Sequence, residues 1–499
     1  MGVKNLIKRP SEKNIILLLL AIVILAIFLR GFNIKNTLLF HFDQGYHALA
    51  IRQIWEEKSI KLLGHKTDVE GIYHSSLFYY FMLPLYLLSS WNPVGVSTIL
   101  AFLDGLSIVF IFLAAKKLFN KKVGLVAALL YAVSYLAISY SRWLSNVTPI
   151  PFLSSAVLYF LTRSGGRDTR DFSCALFFGG LIAQFNGAIG FFFLPLFVVY
   201  ILYFRKNLVN RKVNLLLYIF AYSIPQIPLV LFDVRHNFLV TTSIYKHFLE
   251  GSSLSVSGEG LFSNFLLLSK QILNIFSYKI PIIGLIILFW VTYSIRDIWK
   301  KKDKAAESVK LLFFGILIML TGMVYYQGIN GFFMVGLIPF LVLLVAWSVY
   351  YLLQKRKTKL LGLIIIVYIV AINVFHFRGF LKPGFNLVPI GTANLITLQD
   401  RVRAIDFMYT VANGDSFKTE KYIIPYYQEQ PWDYLFKCYA LKKYNYLPSK
   451  DGNKTFIIYE PDYDYSYRLQ AWLEKETKKY GAKKAVFKSH NLTVEERGK

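Results

Sequence analysis

The chain has 499 residues and a net charge of +27, with 55% hydrophobic and only 17% charged residues. Soluble domains carry about 25% charged residues. A mean hydropathy of +0.45 and repeated apolar runs of roughly bilayer-crossing length therefore describe a polytopic membrane protein, excluding a disordered chain, a collagen-like fibre and a cytosolic enzyme. The Lys and Arg sit in short blocks between the apolar runs, so the charge does not point to nucleic acid.

In chain order, the first apolar run, Ile15 to Leu29, follows Lys4, Lys8, Arg9 and Lys13. No small-residue cleavage site follows it, so a retained first helix is expected and not a signal peptide. A loop of about sixty residues, 31–93, comes next. It is too apolar to be disordered, and loops of this length are usually functional. It holds Phe40-His41-Phe42-Asp43-Gln44-Gly45-Tyr46-His47, then an amphipathic helix to about Glu57, then the apolar stretch Ile72 to Trp91. Further spans are expected near 95–115, 123–140, 147–162, 172–186, 189–204, 213–232, 280–295, 309–326, 332–352 and 360–376. Asn186, Gly187 and Gly190 separate two of these. Cys174 and Cys438 leave little scope for a disulfide framework. The tail, 378–499, is Tyr-rich and mixed in charge, with helical patterns at 395–412, 432–444 and 464–480 and strand-like runs at 421–427, 454–460 and 484–489.

Charge orients these spans. Reading Ile72 to Trp91 as a re-entrant or interfacial helix puts the basic blocks 1–13, 116–122, 163–171, 205–212, 296–310 and 354–359 on one side. Those blocks carry 25 Lys and Arg, against 10 in the longer segments 31–93, 141–146 and 233–279. The positive-inside rule then predicts a cell-membrane protein with about eleven transmembrane helices and a cytoplasmic N-terminus. The expected fold is all-α in the membrane (1–377), with a small extracytoplasmic α+β domain at 378–499.

Three external segments gather the chemistry: the Asp43 loop, the turn Ser141-Arg142-Trp143-Leu144-Ser145-Asn146, and Asp233-Val234-Arg235-His236-Asn237-Phe238. Asp43 is suited to act as general base on an acceptor hydroxyl. Arg142, Arg235 and His236 are suited to hold an anionic leaving group, with Gln44, Tyr46, His74, Asn146 and Asn237 as further substrate contacts. An anion at the membrane surface beside apolar grooves is most simply a polyprenyl phosphate. The reaction is then displacement at a sugar anomeric carbon, with an oxocarbenium-like transition state. Each residue also has a plainer role: Asp43 as a helix N-cap, Arg142 and the Arg235–His236 pair as interface or loop anchors. Asp104, mid-span, must face protein or water. His41, His47 and His74 show no i, i+4 pair or cysteine cluster, so no metal site is assigned.

The residues Asp43-Gln44, Tyr73-His74-Ser75-Ser76-Leu77-Phe78-Tyr79-Tyr80, Lys116 to Leu125, Tyr140-Ser141-Arg142 and Arg235-His236-Asn237-Phe238 together resemble the protein O-mannosyltransferase and aminoarabinose transferase superfamily. These are membrane glycosyltransferases of the C-type fold. The resemblance implies a polyprenyl-phosphate sugar donor, a hydroxyl-bearing acceptor (protein, lipid or glycan), no soluble cofactor, and Asp43 as the catalytic base. Gln44 stands where the family commonly has a second acid, so a divalent cation stays open as a cofactor but has no second first-loop acid to support it. Ser75-Ser76 replaces the family's usual Pro-Pro pair. The competing reading is a transporter or lipid flippase without covalent chemistry, which calls for ionisable residues and broken helices near the midplane of paired repeats.

Overall fold

The computed structural model describes residues 12–67, 69–204, 208, 212–247, 258–326, 331–381, 396–424 and 428–498. Most of the basic blocks 1–13 and 205–212, and the centre of the 233–279 loop, lie outside the described residues. The chain is mostly helical, and each of the eleven expected spans coincides with a helix or helix pair. Among the described residues, six helical stretches are long and apolar enough to cross a membrane: Glu12–Gly31, Pro93–Leu118, Asn214–Arg235, Pro281–Trp299, Lys304–Val324 and Lys359–Leu381. Lys121–Val133 and Tyr135–Ser141 form a seventh if they count as one span broken by 60°. Ile150–Ser164, Thr169–Phe185, Gly187–Tyr203 and Ile338–Gln354 are helices of 15 to 17 residues. Helix Leu77–Leu88 has 12 residues, a rise of about 18 Å, which falls short of the bilayer core of about 30 Å.

The break at Ser134 has an identifiable cause. Where a helix breaks, carbonyls and amides lose their intrahelical partners, and in a membrane they need others. Buried Arg30 donates to Tyr131 O (3.2 Å) and Ala132 O (3.1 Å), and Asn373 Oδ1 accepts from Tyr135 N at 2.8 Å. The Arg30 charge is balanced by Asp104, whose Oδ2 lies 2.6 Å from Arg30 Nε and whose Oδ1 accepts from Tyr131 OH at 2.7 Å. Asp104 is thus a bundle-internal counter-ion. Asn186 divides the next hairpin by capping Gly187–Tyr203, accepting from Ile189 N at 3.1 Å. The two helices pack back to back, with the Phe197 ring over Gly179 and Ala183 against Gly190.

The C-terminal region is a four-stranded sheet of order β3-β4-β6-β5, comprising β3 Phe417–Tyr422, β4 Lys454–Tyr459, β5 Ala482–Ser489 and β6 Leu492–Gly498. β3 and β4 are parallel, joined through the helical segment Gln430–Tyr444, and the other pairings are antiparallel. Helix Leu398–Ala412 packs on the sheet through Phe407, stacked on Phe487 at 5.6 Å. Two expectations need correction. The first strand covers 417–422 and not 421–427, with Tyr422 its last residue; 425–427 lie outside the described residues. β6 was not expected, because Thr493-Val494-Glu495-Glu496-Arg497 reads as polar. Its buried Glu495 and Arg497 pair with each other, which lets an inward face carry charge.

This region is seated on the first long loop. Leu398 N donates to Leu38 O at 2.8 Å, and Tyr434 OH donates to Trp91 O at 2.6 Å. Helix Gln430–Leu435 crosses helix Phe42–Glu57 at Gly45, where an added Cβ would sit 2.4 Å from Pro431 N. Only glycine permits that approach.

Candidate functional site

Asp43 is the second residue of helix Phe42–Glu57 and is exposed. The N-cap position belongs to His41, whose N–H is taken by Gln44 Oε1 at 2.8 Å. The capping role considered for Asp43 therefore falls to its neighbours. Gln44 is buried, its carbonyl oxygen spent on the cap. A carboxylate in the first helical turn lies in the favourable field of the helix N-terminus. Tyr46, one turn on, is exposed.

Behind Asp43, three histidines pack ring against ring. His47 and His65 centroids are 4.5 Å apart, His65 and His74 stack at 4.2 Å, and Phe78 closes on His47 at 5.3 Å. Burial, reinforced by the neighbouring rings, pushes the His74 imidazole down to about 3 and holds His47 well below its ordinary value. Burial and nearby Arg401 also push His41 down to about 3. His41, His47 and His74 are therefore neutral at neutral pH. Among the described residues no group of three or more His, Cys, Asp or Glu has metal-holding geometry.

The short hairpin of β1 Leu63–Lys66 and β2 Tyr73–Ser75 carries His65 and His74 and meets the segment around Phe232 and Ser243. Tyr73 faces Phe232 at 6.5 Å, and Gly71 at the hairpin tip abuts Ser243. Arg235, His236 and Asn237 follow Phe232, at the end of helix Ile227–Arg235, and all three are exposed. The His236 ring stacks on Phe232 at 3.9 Å, and its Nδ1 lies 2.8 Å from Phe232 O. Buried Asp233 fixes the turn by accepting from Val240 N at 2.7 Å, with Asn237 at φ 53° and Phe238 at φ 57°. His74 and the Arg235–Asn237 turn are thereby brought together through Tyr73 and Phe232.

Arg142 has a different setting. It is buried and forms no ion pair among the described residues. Its Nη2 donates to Thr37 Oγ1 at 2.5 Å, and Thr37 spends its own hydroxyl proton on Asn33 O at 2.7 Å. Its guanidinium carbon lies 4.1 Å from the Phe380 ring centroid, while Nη1 is buried without a hydrogen-bond partner in the described structure. Burial pushes Arg142 down to about 9, still charged at neutral pH. Around it, Tyr135 sits 4.6 Å from Tyr278, 5.8 Å from His376 and 5.8 Å from Phe380. His376 Nε2 is likewise buried and unpartnered. A buried cation costs several kcal/mol unless compensated. The arrangement is chemically suited to an anion that accepts hydrogen bonds. Asn146, four residues on, is committed to protein: Nδ2 donates to Phe185 O at 2.7 Å, and Oδ1 accepts from Ser145 Oγ at 3.0 Å. Phe185 packs on Phe78 at 5.9 Å, which links the Arg142 turn to the histidine cluster.

Sequence reasoning did not single out Thr37, Tyr135, Tyr278, His376 or Phe380. A signal existed for one of them: Asn373 and His376 are polar residues one turn apart in an apolar run, and such residues face the bundle interior.

Residues 74–229 match the family model of dolichyl-phosphate-mannose-protein mannosyltransferases. That stretch holds His74, Arg142 and Asn146 and leaves Asp43 and Arg235 outside. The fold is similar to that of ArnT from Cupriavidus metallidurans bound to undecaprenyl phosphate, at 12% identity and TM-score 0.59, over 97% of this chain and 98% of that one. The same protein in the apo state gives 11% identity and TM-score 0.59, over 98% of each chain. Archaeal oligosaccharyltransferase AglB from Archaeoglobus fulgidus, in complex with an inhibitory peptide and a dolichol-phosphate, gives 11% identity and TM-score 0.49, over 96% of this chain and 74% of that one. No curated protein matches the chain by sequence. The resemblance to membrane glycosyltransferases of the C-type fold is met by the family model and by the fold.

Proposed function

We propose that the protein is an integral-membrane glycosyltransferase of about eleven spans. It moves a sugar from a polyprenyl-phosphate carrier to a hydroxyl acceptor on the membrane face where Asp43 lies. On charge distribution that face is extracytoplasmic, with the N-terminus cytoplasmic in the cell membrane and 378–499 forming an outer domain. The observation that carries this reading is Arg142: a buried guanidinium with no acid partner among the described residues and an unpartnered Nη1, bonded through Nη2 to Thr37 of the loop that also carries Asp43. The family model and the ArnT-like fold support it, ArnT having been crystallised with undecaprenyl phosphate.

In the reaction, the acceptor oxygen attacks the anomeric carbon and its proton passes to the Asp43 carboxylate. The bond between that carbon and the phosphate oxygen breaks, and polyprenyl phosphate leaves with the electron pair. Arg142 holds the charge that grows on the leaving phosphate, where a charge-assisted hydrogen bond is most effective. Arg235, His236 and Asn237, exposed beside the hairpin of His74, contact the donor from the other loop, and Tyr46 lines the acceptor side. Sequence composition keeps Gln44 and Asn146 among the expected substrate contacts, but their capping and turn-holding bonds make support of Asp43 and Arg142 their better role. For the transport reading the mid-span acid would be Asp104, which is ion-paired with Arg30 and hydrogen-bonded by Tyr131. Transfer of labelled sugar from a polyprenyl-phosphate donor by purified wild type, and its loss in Asp43→Asn, tests the proposal.

A further inference from the structure

A cavity of about 550 Å³ lies far from Asp43 and Arg142. Helix Pro93–Leu118 measures the separation. Ser97 Oγ donates to Arg142 O at 3.0 Å, and Lys117, twenty residues further along the same helix, lines the cavity. At 1.5 Å per residue that is about 30 Å, one bilayer core. The cavity is therefore at the opposite membrane face.

Its rim carries Lys117, Arg163, Arg167 and Lys304 against a single acid, Glu307. Arg163 is paired with Asp171 at 3.0 Å; Lys117, Arg167 and Lys304 form no ion pair among the described residues and are exposed. Below the rim the lining is apolar and runs toward mid-membrane past Leu196, Gly315 and Phe340. Val199, Tyr203 and Phe314 line it too and are exposed on the lipid-facing surface, so the groove opens sideways into the bilayer. The volume falls within the roughly 300–1,000 Å³ of small-molecule sites. A basic rim over an apolar groove between membrane helices is complementary to an anionic lipid headgroup and its chain.

We propose that this cavity binds one anionic glycerophospholipid, its phosphate among Lys117, Arg167 and Lys304 and an acyl chain along Leu196 and Phe340. The carrier lipid is the wrong occupant, because its phosphate must reach the opposite face to react. The cavity as a lipid site requires only that these helices cross the bilayer; the exclusion of the carrier rests on the transfer proposed at Asp43.

Detergent-solubilised full-length protein is titrated with dioleoyl phosphatidylglycerol or dioleoyl phosphatidylcholine, and bound lipid is counted by native mass spectrometry. The first phosphatidylglycerol is expected to bind at lower concentration than phosphatidylcholine. Each cation removed should raise that midpoint about fivefold. The variant K117Q/R167Q/K304Q should raise it on the order of a hundredfold, leaving phosphatidylcholine binding unchanged. Melting of the triple variant in phosphatidylcholine micelles checks its fold, and R167Q alone, with its fivefold shift, serves if the triple variant is unstable. Equal midpoints for the two lipids in wild type, or a phosphatidylglycerol midpoint unmoved by the substitutions, would overturn the site. Displacement of phosphatidylglycerol by an equal or lower concentration of undecaprenyl phosphate would overturn its assignment to a glycerophospholipid. Because the readout is lipid mass, none of these results bears on glycosyl transfer.

Discussion

Replacing Arg142 by methionine separates a phosphate-binding arginine from a structural one. The substitution removes the 2.5 Å bond to Thr37, worth about 1.5–3 kcal/mol for a charged donor. It also removes the stacking on Phe380, worth up to about 2 kcal/mol when desolvated. Against these losses it relieves the burial of a guanidinium that has no counter-charge among the described residues, a penalty of several kcal/mol. Methionine fills similar volume and is flexible, so folding stability should be unchanged or raised. Transfer should behave differently. One charge-assisted bond from Nη1 to the leaving phosphate is worth about 1.5–3 kcal/mol, so kcat/KM should fall roughly ten- to a hundredfold. Because the phosphate gains charge as its bond to the sugar breaks, most of the loss should appear in kcat. Steady-state transfer from a polyprenyl-phosphate sugar, alongside thermal melting, gives both numbers. A variant that melts several degrees lower yet keeps both kinetic constants per folded molecule would make Arg142 an anchor and refute the reasoning.

Asp43→Asn leaves the His41–Gln44 cap intact, so its melting should match wild type while transfer falls about 10²–10⁴-fold; near-normal turnover would remove Asp43 from the chemistry. Gly45→Ala drives a Cβ into the backbone of Pro431 and should cost about 1–3 kcal/mol, read as earlier proteolysis of the C-terminal region; an unchanged digestion pattern would mean the docking is not tight. Asp104→Leu strands the buried Arg30 charge and should cost about 3–5 kcal/mol; Arg30→Met/Asp104→Leu should recover part of it, the rest being the Tyr131 and Ala132 carbonyls that lose their donor, and no recovery at all would show that the stranded charge is not what destabilises Asp104→Leu. The histidines around Asp43 set an acid limit. His41 and His74 are depressed to about 3 in the folded chain from an ordinary 6.5, so between those values the unfolded chain binds more protons. Their contribution is complete above about pH 6.5 and falls by about 1.4 kcal/mol per pH unit per histidine below it. A melting profile flat from pH 7 to 5 would show that these rings are not desolvated in the folded chain.

The bilayer made most of the fold legible. Apolar runs must be helical in lipid, and basic blocks mark their ends, so helices were found at every expected span. Length alone did not reveal that Ser134 breaks one of them, because the break depends on Arg30 and Asn373 arriving from distant helices. Asp104 announced its need for a partner through its position in an apolar run, but nothing local named Arg30. The C-terminal sheet was partly hidden because β6 buries a Glu–Arg pair, and a paired charge looks exposed in a sequence. Residue type and order picked out Asp43, Arg142 and Arg235 as candidates. Burial, which separates the enclosed Arg142 from the exposed Arg235, His236 and Asn237, is a tertiary property that spacing does not encode. Gln44 and Asn146 had the right chemistry for substrate but found backbone partners within the fold, as short polar side chains near turns and helix ends often do.

The central claim is glycosyl transfer from a lipid carrier, and the most direct measurement follows both halves of a donor labelled separately in its sugar and its lipid. Purified protein in lipid vesicles is incubated with a polyprenyl-phosphate sugar and an envelope extract as acceptor source. Wild type should move the sugar label out of the lipid fraction into a covalently modified acceptor, with an equimolar amount of lipid-labelled, sugar-free polyprenyl phosphate left behind, and Asp43→Asn should leave the donor intact. Sugar and lipid labels that stay together in wild type, or cross the bilayer as one unmodified molecule, would contradict the account.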